Sequence, residues 1–163
     1  QDISNALVEG AGLEEVLRMV LESMYRALGL QRVLFCLRDP RSGAITGRFG
    51  IGQQARELAP AFRIDLSAQA QDLFSLVCRQ GADTLISDAA VGHTPQRLPA
   101  WFRERIQAPT FLLLPMSLRR APVGLIYADQ AHAGGIVVGE RELALLRTLR
   151  NQAVMALQQA RGG

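Results

Sequence analysis

The segment that decides the fold is Phe111-Leu112-Leu113-Leu114-Pro115-Met116-Ser117-Leu118-Arg119-Arg120-Ala121-Pro122-Val123-Gly124-Leu125-Ile126-Tyr127-Ala128-Asp129. Two apolar runs flank the short Arg-Arg-Ala-Pro break at 119–122. Continuous apolar runs of this length, separated by a turn, are typical of buried strands. The segment therefore predicts an antiparallel hairpin with strands over about 111–117 and 122–129.

Amphipathic patterns on both sides of this hairpin predict helices. Apolar residues recur at spacings of three and four from Leu13 to Leu28, and Gly29 stands where a helix C-cap is expected. A longer helix is predicted from Glu140 to about Gln159, and its apolar positions cover more than one narrow stripe. Such a helix needs two packing partners. We expect the sheet to be one, and the N-terminal helix or a second copy of the chain to be the other.

The segments between these helices predict further strands and one more helix. The apolar run 32–39 predicts a central strand, and 44–51 predicts its returning partner, whose glycines indicate an edge or a bend. Shorter patterns predict a half-buried strand at 62–66, a helix at 70–79, a strand at 84–87, a loop at 90–110 with one or two helical turns within 99–105, and a linker at 130–138.

Length and composition indicate a single domain. The chain has 163 residues, of which 48% are hydrophobic, and this is enough for a full core without disulfide or metal staples. Cys36 and Cys78 both lie in apolar segments, so we expect buried free thiols. The sequence begins at Gln1 without a methionine, and we expect residues 1–163 to be one domain of a longer protein.

Charge and hydropathy patterns disfavour two classes of partner. All 18 basic residues are arginines, the net charge is +3, and only Arg119 and Arg120 are adjacent. No basic run is interleaved with aromatic residues, so we expect no nucleic-acid partner. No apolar run approaches the roughly 18 residues of a membrane span, and no signal-peptide pattern is present. We therefore expect a cytoplasmic protein without a membrane partner.

The order of the predicted elements resembles that of GAF domains, a sensory fold of signalling proteins, over almost the whole chain. Four segments carry the best local matches: Leu85-Ile86-Ser87-Asp88-Ala89, Leu114-Pro115-Met116, Val123–Asp129 and Leu146–Ala153. The resemblance implies an α+β, profilin-like fold. In it, a six-stranded antiparallel sheet carries the N- and C-terminal helices on one face and loops with short helices over the other. A PAS domain is the alternative fold.

Family members bind cyclic nucleotides, bilins, haem or small metabolites, or bind nothing, and three of their signatures are absent here. Members that attach a bilin resemble one another in a cysteine followed directly by a histidine. Here Cys36 precedes Leu37 and Cys78 precedes Arg79. The cyclic-nucleotide signature of the phosphodiesterase kind needs a lysine, and this chain has none. Neither cysteine lies in the motifs of the branch that reduces free methionine sulfoxide. The cofactor is therefore unknown, and the two histidines do not form a metal site by spacing.

The resemblance implies a ligand pocket roofed by the loop that follows Ser87. Five residues of this segment are candidate ligand contacts: Asp88, His93, Arg97, Trp101 and Phe102. Each also has a purely structural interpretation. Asp88 could cap a turn, the other polar side chains could be exposed, and the aromatic pair could pin the loop to the sheet.

We expect a non-catalytic sensory or regulatory module, since no catalytic set is visible. It would bind a small molecule or relay a conformational signal to an attached output domain, such as a histidine kinase, a cyclic-di-nucleotide enzyme, an HDOD protein or a transcription regulator. A homodimer through the terminal helices is expected. The alternatives are a ligand-free dimerisation scaffold and a small redox enzyme of the methionine sulfoxide reductase type.

Overall fold

One antiparallel sheet of six strands organises the described part of the chain. The computed structural model describes residues 12–161, and its strand order is β3-β2-β1-β6-β5-β4. In chain order the strands are β1 (Arg32–Arg38), β2 (Ile45–Gly52), β3 (Arg63–Ile64), β4 (Thr84–Ile86), β5 (Thr110–Leu118) and β6 (Ala121–Gln130). The predicted α+β class and the predicted hairpin at 111–129 are confirmed. Residues 1–11 and 162–163 of the predicted 1–163 domain lie outside the described residues.

Within residues 12–161, two long helices and several short ones accompany the sheet. In chain order they are α1 (Leu13–Leu28), α2 (Ala55–Leu58), a 3-10 turn (Ala59–Ala61), α3 (Leu73–Gln80), α4 (Thr94–Arg97), a π-helical turn (Phe102–Ile106) and α5 (Glu140–Ala160). The α1 helix ends at Gly29, whose φ of 59° is the left-handed conformation expected of a C-cap glycine. No helix within residues 12–161 is long and apolar enough to cross a membrane.

The α1 and α5 helices pack against each other and against one face of the sheet, which we call the helix face. Val20 and Leu21 of α1 and Leu146 and Leu149 of α5 are buried in the same core cluster as Phe35 of β1. The second packing partner of α5 is therefore α1. This arrangement explains why the apolar positions of α5 are wider than one stripe.

The opposite face of the sheet, which we call the loop face, is covered by α2, α3 and the segments around the π-helical turn. Cys36 and Cys78 lie in this second core as buried free thiols, as the sequence predicted. The two cores share the sheet but have separate sets of side chains.

The glycines of β2 allow close packing. A Cβ atom added at Gly47 would lie 2.0 Å from the carbonyl oxygen of Ala59, and one at Gly50 would lie 2.2 Å from a Leu34 methyl carbon. The register between β1 and β2 also shifts at Phe35 and Cys36, so the strand is bent there. Of the predicted edge or bend in β2, this irregularity supports the bend, whereas β3 pairs with β2 at Ile45 and Thr46.

Three local features differ from the sequence-based boundaries. The α3 helix begins at Leu73 rather than 70, because the Asp72 side chain accepts a hydrogen bond from the Ser75 amide and caps the helix. The 90–110 loop contains α4 as well as the π-helical turn. The hairpin turn is formed by Arg119 and Arg120 alone, with φ values of 52° and 69°.

Candidate functional site

Six aromatic side chains meet on the loop face, where the family resemblance places a ligand pocket. We call them the aromatic cluster: Phe62, Phe74, Trp101, Phe102, Phe111 and Tyr127. They come from distant segments of the chain. Phe74 belongs to α3, Phe111 to β5 and Tyr127 to β6, whereas Trp101 and Phe102 lie at the start of the π-helical turn. Five of the six are less than 2% exposed, and Trp101 is half-buried.

The rings of the cluster are in direct contact. The Phe62 centroid lies 4.8 Å from Trp101 and 4.8 Å from Tyr127, and the Phe74 ring stacks on Phe111 at 5.6 Å. Phe102 lies 4.8 Å from Phe111 at a tilt of 54°. Aromatic pairs at these distances contribute about 0.5–1.5 kcal/mol each beyond their buried area. The cluster is therefore packed core.

Any ligand that enters between these rings must displace at least one of them, since protein interiors are close-packed. Trp101 and Phe102 were predicted to wall a pocket or to pin the loop to the sheet. The geometry favours pinning, because Phe102 is 1% exposed and contacts the sheet residue Phe111. A ligand-binding role for this pair stays a prediction.

The three polar candidates lie on the loop around the cluster. Asp88 is half-buried, and its Oδ1 accepts a hydrogen bond from the Ala90 amide at 2.9 Å, which is a turn-capping geometry. His93 precedes α4 and Arg97 ends it, and both are exposed. Neither side chain makes a hydrogen bond within residues 12–161. The structure thus brings together the two aromatic candidates, and the polar three stay predicted ligand contacts.

A buried polar network lies beside the aromatic cluster, at one end of β1 and β6. Arg32 Nε donates to Asp129 Oδ2 at 2.8 Å, and the Tyr127 hydroxyl donates to the same oxygen at 2.5 Å. The Arg32 guanidinium also donates to the Gln53 carbonyl at 3.1 Å. Arg32 pairs with Asp129 in the strand register, so the backbone itself places the two charges opposite each other.

Burial dominates the titration of this network. Desolvation raises the pKa of Asp129 above its usual value, although Tyr127 and Arg32 both favour the carboxylate. Desolvation and the neighbouring Asp129 raise the pKa of Tyr127. Asp129 Oδ1 is buried and has no hydrogen-bond partner among residues 12–161. An unpaired buried carboxylate oxygen is costly, so this network depends on Arg32.

A second charged cluster, which we call the latch, joins α5 to the turn that follows α3. Asp83 Oδ1 accepts from Arg150 Nη1 at 2.6 Å, and Asp83 Oδ2 accepts from Arg150 Nη2 at 3.1 Å and from Arg147 Nε at 3.0 Å. Arg150 Nη1 also donates to the Pro115 carbonyl of β5 at 2.9 Å. Partial burial raises the pKa of Asp83, but the hydrogen bonds from Arg150 and Arg147 outweigh it and hold that pKa below its usual value.

The thiols of the loop face are poorly suited to act as nucleophiles or metal ligands. Burial raises the pKa of Cys78 to about 12 and also raises the pKa of Cys36. Since the thiolate is the nucleophile and the metal ligand, the burial of both thiols disfavours the reactive form. Within residues 12–161, no group of three or more His, Cys, Asp and Glu side chains is placed to hold a metal ion.

Sequence reasoning missed both charged clusters. Asp129 ends the apolar run of β6, and Arg32 begins that of β1, so antiparallel neighbours could have suggested their pairing. The latch left no such signal. Asp83 and Arg150 are 67 residues apart and belong to segments whose contact depends on the tertiary fold.

Comparison with known proteins gives a consistent picture. A family model described as GAF domain matches residues 12–157. No curated protein matches the sequence. The GAF domain from an Acinetobacter phosphoenolpyruvate-protein phosphotransferase has a similar structure, with 19% identity, a TM-score of 0.76, and coverage of 98% of this chain and 90% of that one.

Two further solved structures illustrate the range of proteins with this fold. A domain of a putative two-component sensor histidine kinase from Sinorhizobium meliloti shares 14% identity, with a TM-score of 0.66 over 91% of this chain and 92% of that one. Free methionine-R-sulfoxide reductase from Neisseria meningitidis, in complex with its substrate, shares 16% identity, with a TM-score of 0.73 over 98% and 86%. At these identities the likeness shows the fold alone.

Proposed function

The chain belongs to the GAF domain family, and from this premise we propose that it is a non-catalytic regulatory module that signals through α5. The latch is the observation that carries the proposal. It connects the α5 helix to the α3–β4 turn and to β5 through one arginine, Arg150. The sensory role itself is drawn from the family.

The latch gives a physical route from the loop face to α5. Phe74 and Cys78 anchor α3 in the loop-face core, and Asp83 follows α3 after only two residues. A shift of α3 would therefore move Asp83 and change its bonds to Arg147 and Arg150. Regulation of this kind needs two arrangements whose balance a ligand or a neighbouring domain can bias. The histidine kinase, cyclic-di-nucleotide, HDOD and transcription-regulator outputs all remain candidates for the attached domain.

The second candidate, a ligand-free dimerisation scaffold, is supported by two observations. The aromatic cluster fills the loop face, which leaves the sheet packed without a ligand. Leu145 and Met155 of α5 are 40% and 53% exposed, although both are apolar. Exposed apolar side chains on a long helix are typical of a helix-helix seam. The two candidates are compatible, since a dimer can also relay.

The absence of catalysis is part of the proposal and is supported by thiol chemistry. A reductase of the methionine sulfoxide type needs a reactive thiolate, whereas Cys36 and Cys78 are buried and have raised pKa values. An enzyme of that type would lose its activity when both cysteines are replaced by alanine. Methionine sulfoxide reduction that depends on these two cysteines would overturn this part of the proposal.

The experiment that tests the regulatory role compares latch variants in the full parent protein. Asp83→Asn removes the carboxylate, and Glu22→Gln removes one from the exposed surface of α1, where its distance to Arg26 is 4.0 Å. We expect Asp83→Asn to change the output activity and Glu22→Gln to leave it unchanged. An output that is indifferent to Asp83→Asn and to deletion of residues 1–163 would contradict the proposal.

A further inference from the structure

A groove of about 580 Å³ runs along β2, between the first turns of α1 and the α2–3-10 segment. Its floor is apolar and includes Leu17, Phe35, Leu37 and Phe49, all of which belong to the helix-face core or pack against it. β3 pairs only with Ile45 and Thr46, so no strand covers the later part of β2 within the described chain. The groove is therefore distinct from the filled loop face.

Among residues 12–161, the groove is lined by more positive than negative charge. Arg18, Arg48 and Arg56 line it, together with one carboxylate, Glu14. Arg18 is already engaged, because its guanidinium bonds Glu14 at 3.1 Å and lies 4.7 Å from the Phe49 ring centroid. Arg48 and Arg56 are exposed, and within residues 12–161 neither makes a side-chain hydrogen bond or an ion pair. Two guanidiniums are thus available beside an apolar floor.

We propose that this groove binds a small carboxylate that carries an apolar tail. A planar guanidinium binds a carboxylate through paired N–H donors. Arg48 and Arg56 supply two such guanidiniums at the groove. The apolar floor would take the tail, and the volume lies within the range of about 300–1,000 Å³ that small-molecule sites occupy. Glu14 disfavours a dianionic head group. The proposal concerns binding alone and does not depend on the regulatory role.

The test is a titration of the isotopically labelled protein with sodium decanoate, followed by amide chemical shifts. We expect saturable shifts in residues 13–18, 35–37 and 48–56. The double variant Arg48→Gln/Arg56→Gln should raise the dissociation constant at least about tenfold, since two charge-assisted contacts are lost. A matched control, Arg119→Gln/Arg120→Gln, removes the same charge at the hairpin turn, which does not line the groove, and should leave the constant within about twofold.

Two control ligands separate the contributions of head group and tail. Butyrate keeps the carboxylate but has little tail, and decanol keeps the tail without the charge; both should bind much more weakly than decanoate. The single variant Arg56→Gln, in an exposed position of α2, gives a second measurement if the double variant is poorly folded. The proposal is overturned if decanoate causes no saturable shift, if decanol binds as tightly, or if both double variants weaken binding equally.

Discussion

Asp83 and Arg150 form a two-pronged ion pair across the edge of the sheet, with N–O distances of 2.6 and 3.1 Å. Their side chains are only 13% and 14% exposed, so solvent screens this pair much less than the surface pairs of α1. The pair links the turn after α3, which packs on the loop face, to α5, which packs on the helix face. Through this ion pair, the latch connects the turn after α3 directly to α5.

Replacement of Asp83 by Asn should lower the free energy of unfolding by about 1.5–3 kcal/mol, which is the usual worth of hydrogen bonds to charged groups. Urea denaturation at pH 7 measures the change. The control Glu22→Gln removes an exposed carboxylate and should change stability by less than about 1 kcal/mol. Equal losses of unfolding free energy in the two variants would mean that the latch stabilises the fold no more than an exposed surface pair does.

The stability difference between the wild type and Asp83→Asn should depend on pH, with a sign that follows from the lowered pKa of Asp83. The folded state holds the carboxylate ionised, so its stabilisation is present above the unfolded pKa of about 3.9 and is lost as the pH falls through the lower folded pKa. The stability gap between the wild type and Asp83→Asn should therefore shrink below about pH 4. A gap that widens in acid would contradict this assignment.

The Arg32–Asp129 pair should behave as a coupled unit. Arg32→Met leaves the buried Asp129 carboxylate without its counter-ion and should cost about 3–5 kcal/mol. Adding Asp129→Asn removes the stranded charge, so the double variant should be more stable than the sum of the single losses predicts. Urea denaturation of all four proteins gives the coupling free energy. Strict additivity would show that the two side chains do not depend on each other.

Truncation of Phe102 should show how tightly the aromatic cluster is packed. Phe102→Ala removes a ring that is 1% exposed and should lower the free energy of unfolding by about 3–5 kcal/mol. Phe49→Ala removes a half-buried ring on the helix face and should cost less. Thermal and urea unfolding compare the two. A loss of less than about 1 kcal/mol at Phe102 would mean that the loop face has spare volume.

The proposed dimer seam makes a prediction at Leu145, which is 40% exposed on α5. If the seam includes Leu145, native mass spectrometry should show a dimer for the wild type and a folded monomer for Leu145→Glu. Leu149 is 6% exposed and lies in the helix-face core, so Leu149→Glu should unfold the protein instead. A dimer that persists in Leu145→Glu would place the seam elsewhere.

The sequence predicted the elements that depend on local chemistry. The periodicity of α1 and its cap at Gly29 are set by neighbouring residues, and so are the apolar runs of the 111–129 hairpin. Short elements were less predictable, because their geometry depends on distant partners. The π-helical turn at Phe102–Ile106 forms where Phe102 packs against both Phe74 and Phe111.

The candidate site was predicted only in outline for the same reason. Trp101 and Phe102 were named from their position in the loop, but their packing depends on Phe62 and Phe74 from other segments. Arg32 was interpreted simply as the start of a strand, whereas the fold buries it against Asp129. Pairings between residues far apart in the chain leave little trace in local periodicity.

The most direct test of the account is hydrogen–deuterium exchange of the wild type and Asp83→Asn under native conditions. If the latch holds α5 to the turn that follows α3, hydrogen exchange in residues 140–160 should accelerate in Asp83→Asn by a larger factor than exchange in the central strand β1. This result would identify α5 as an element that Asp83 controls. Equal acceleration of α5 and β1, which is the signature of a uniform loss of stability, would contradict the proposed relay.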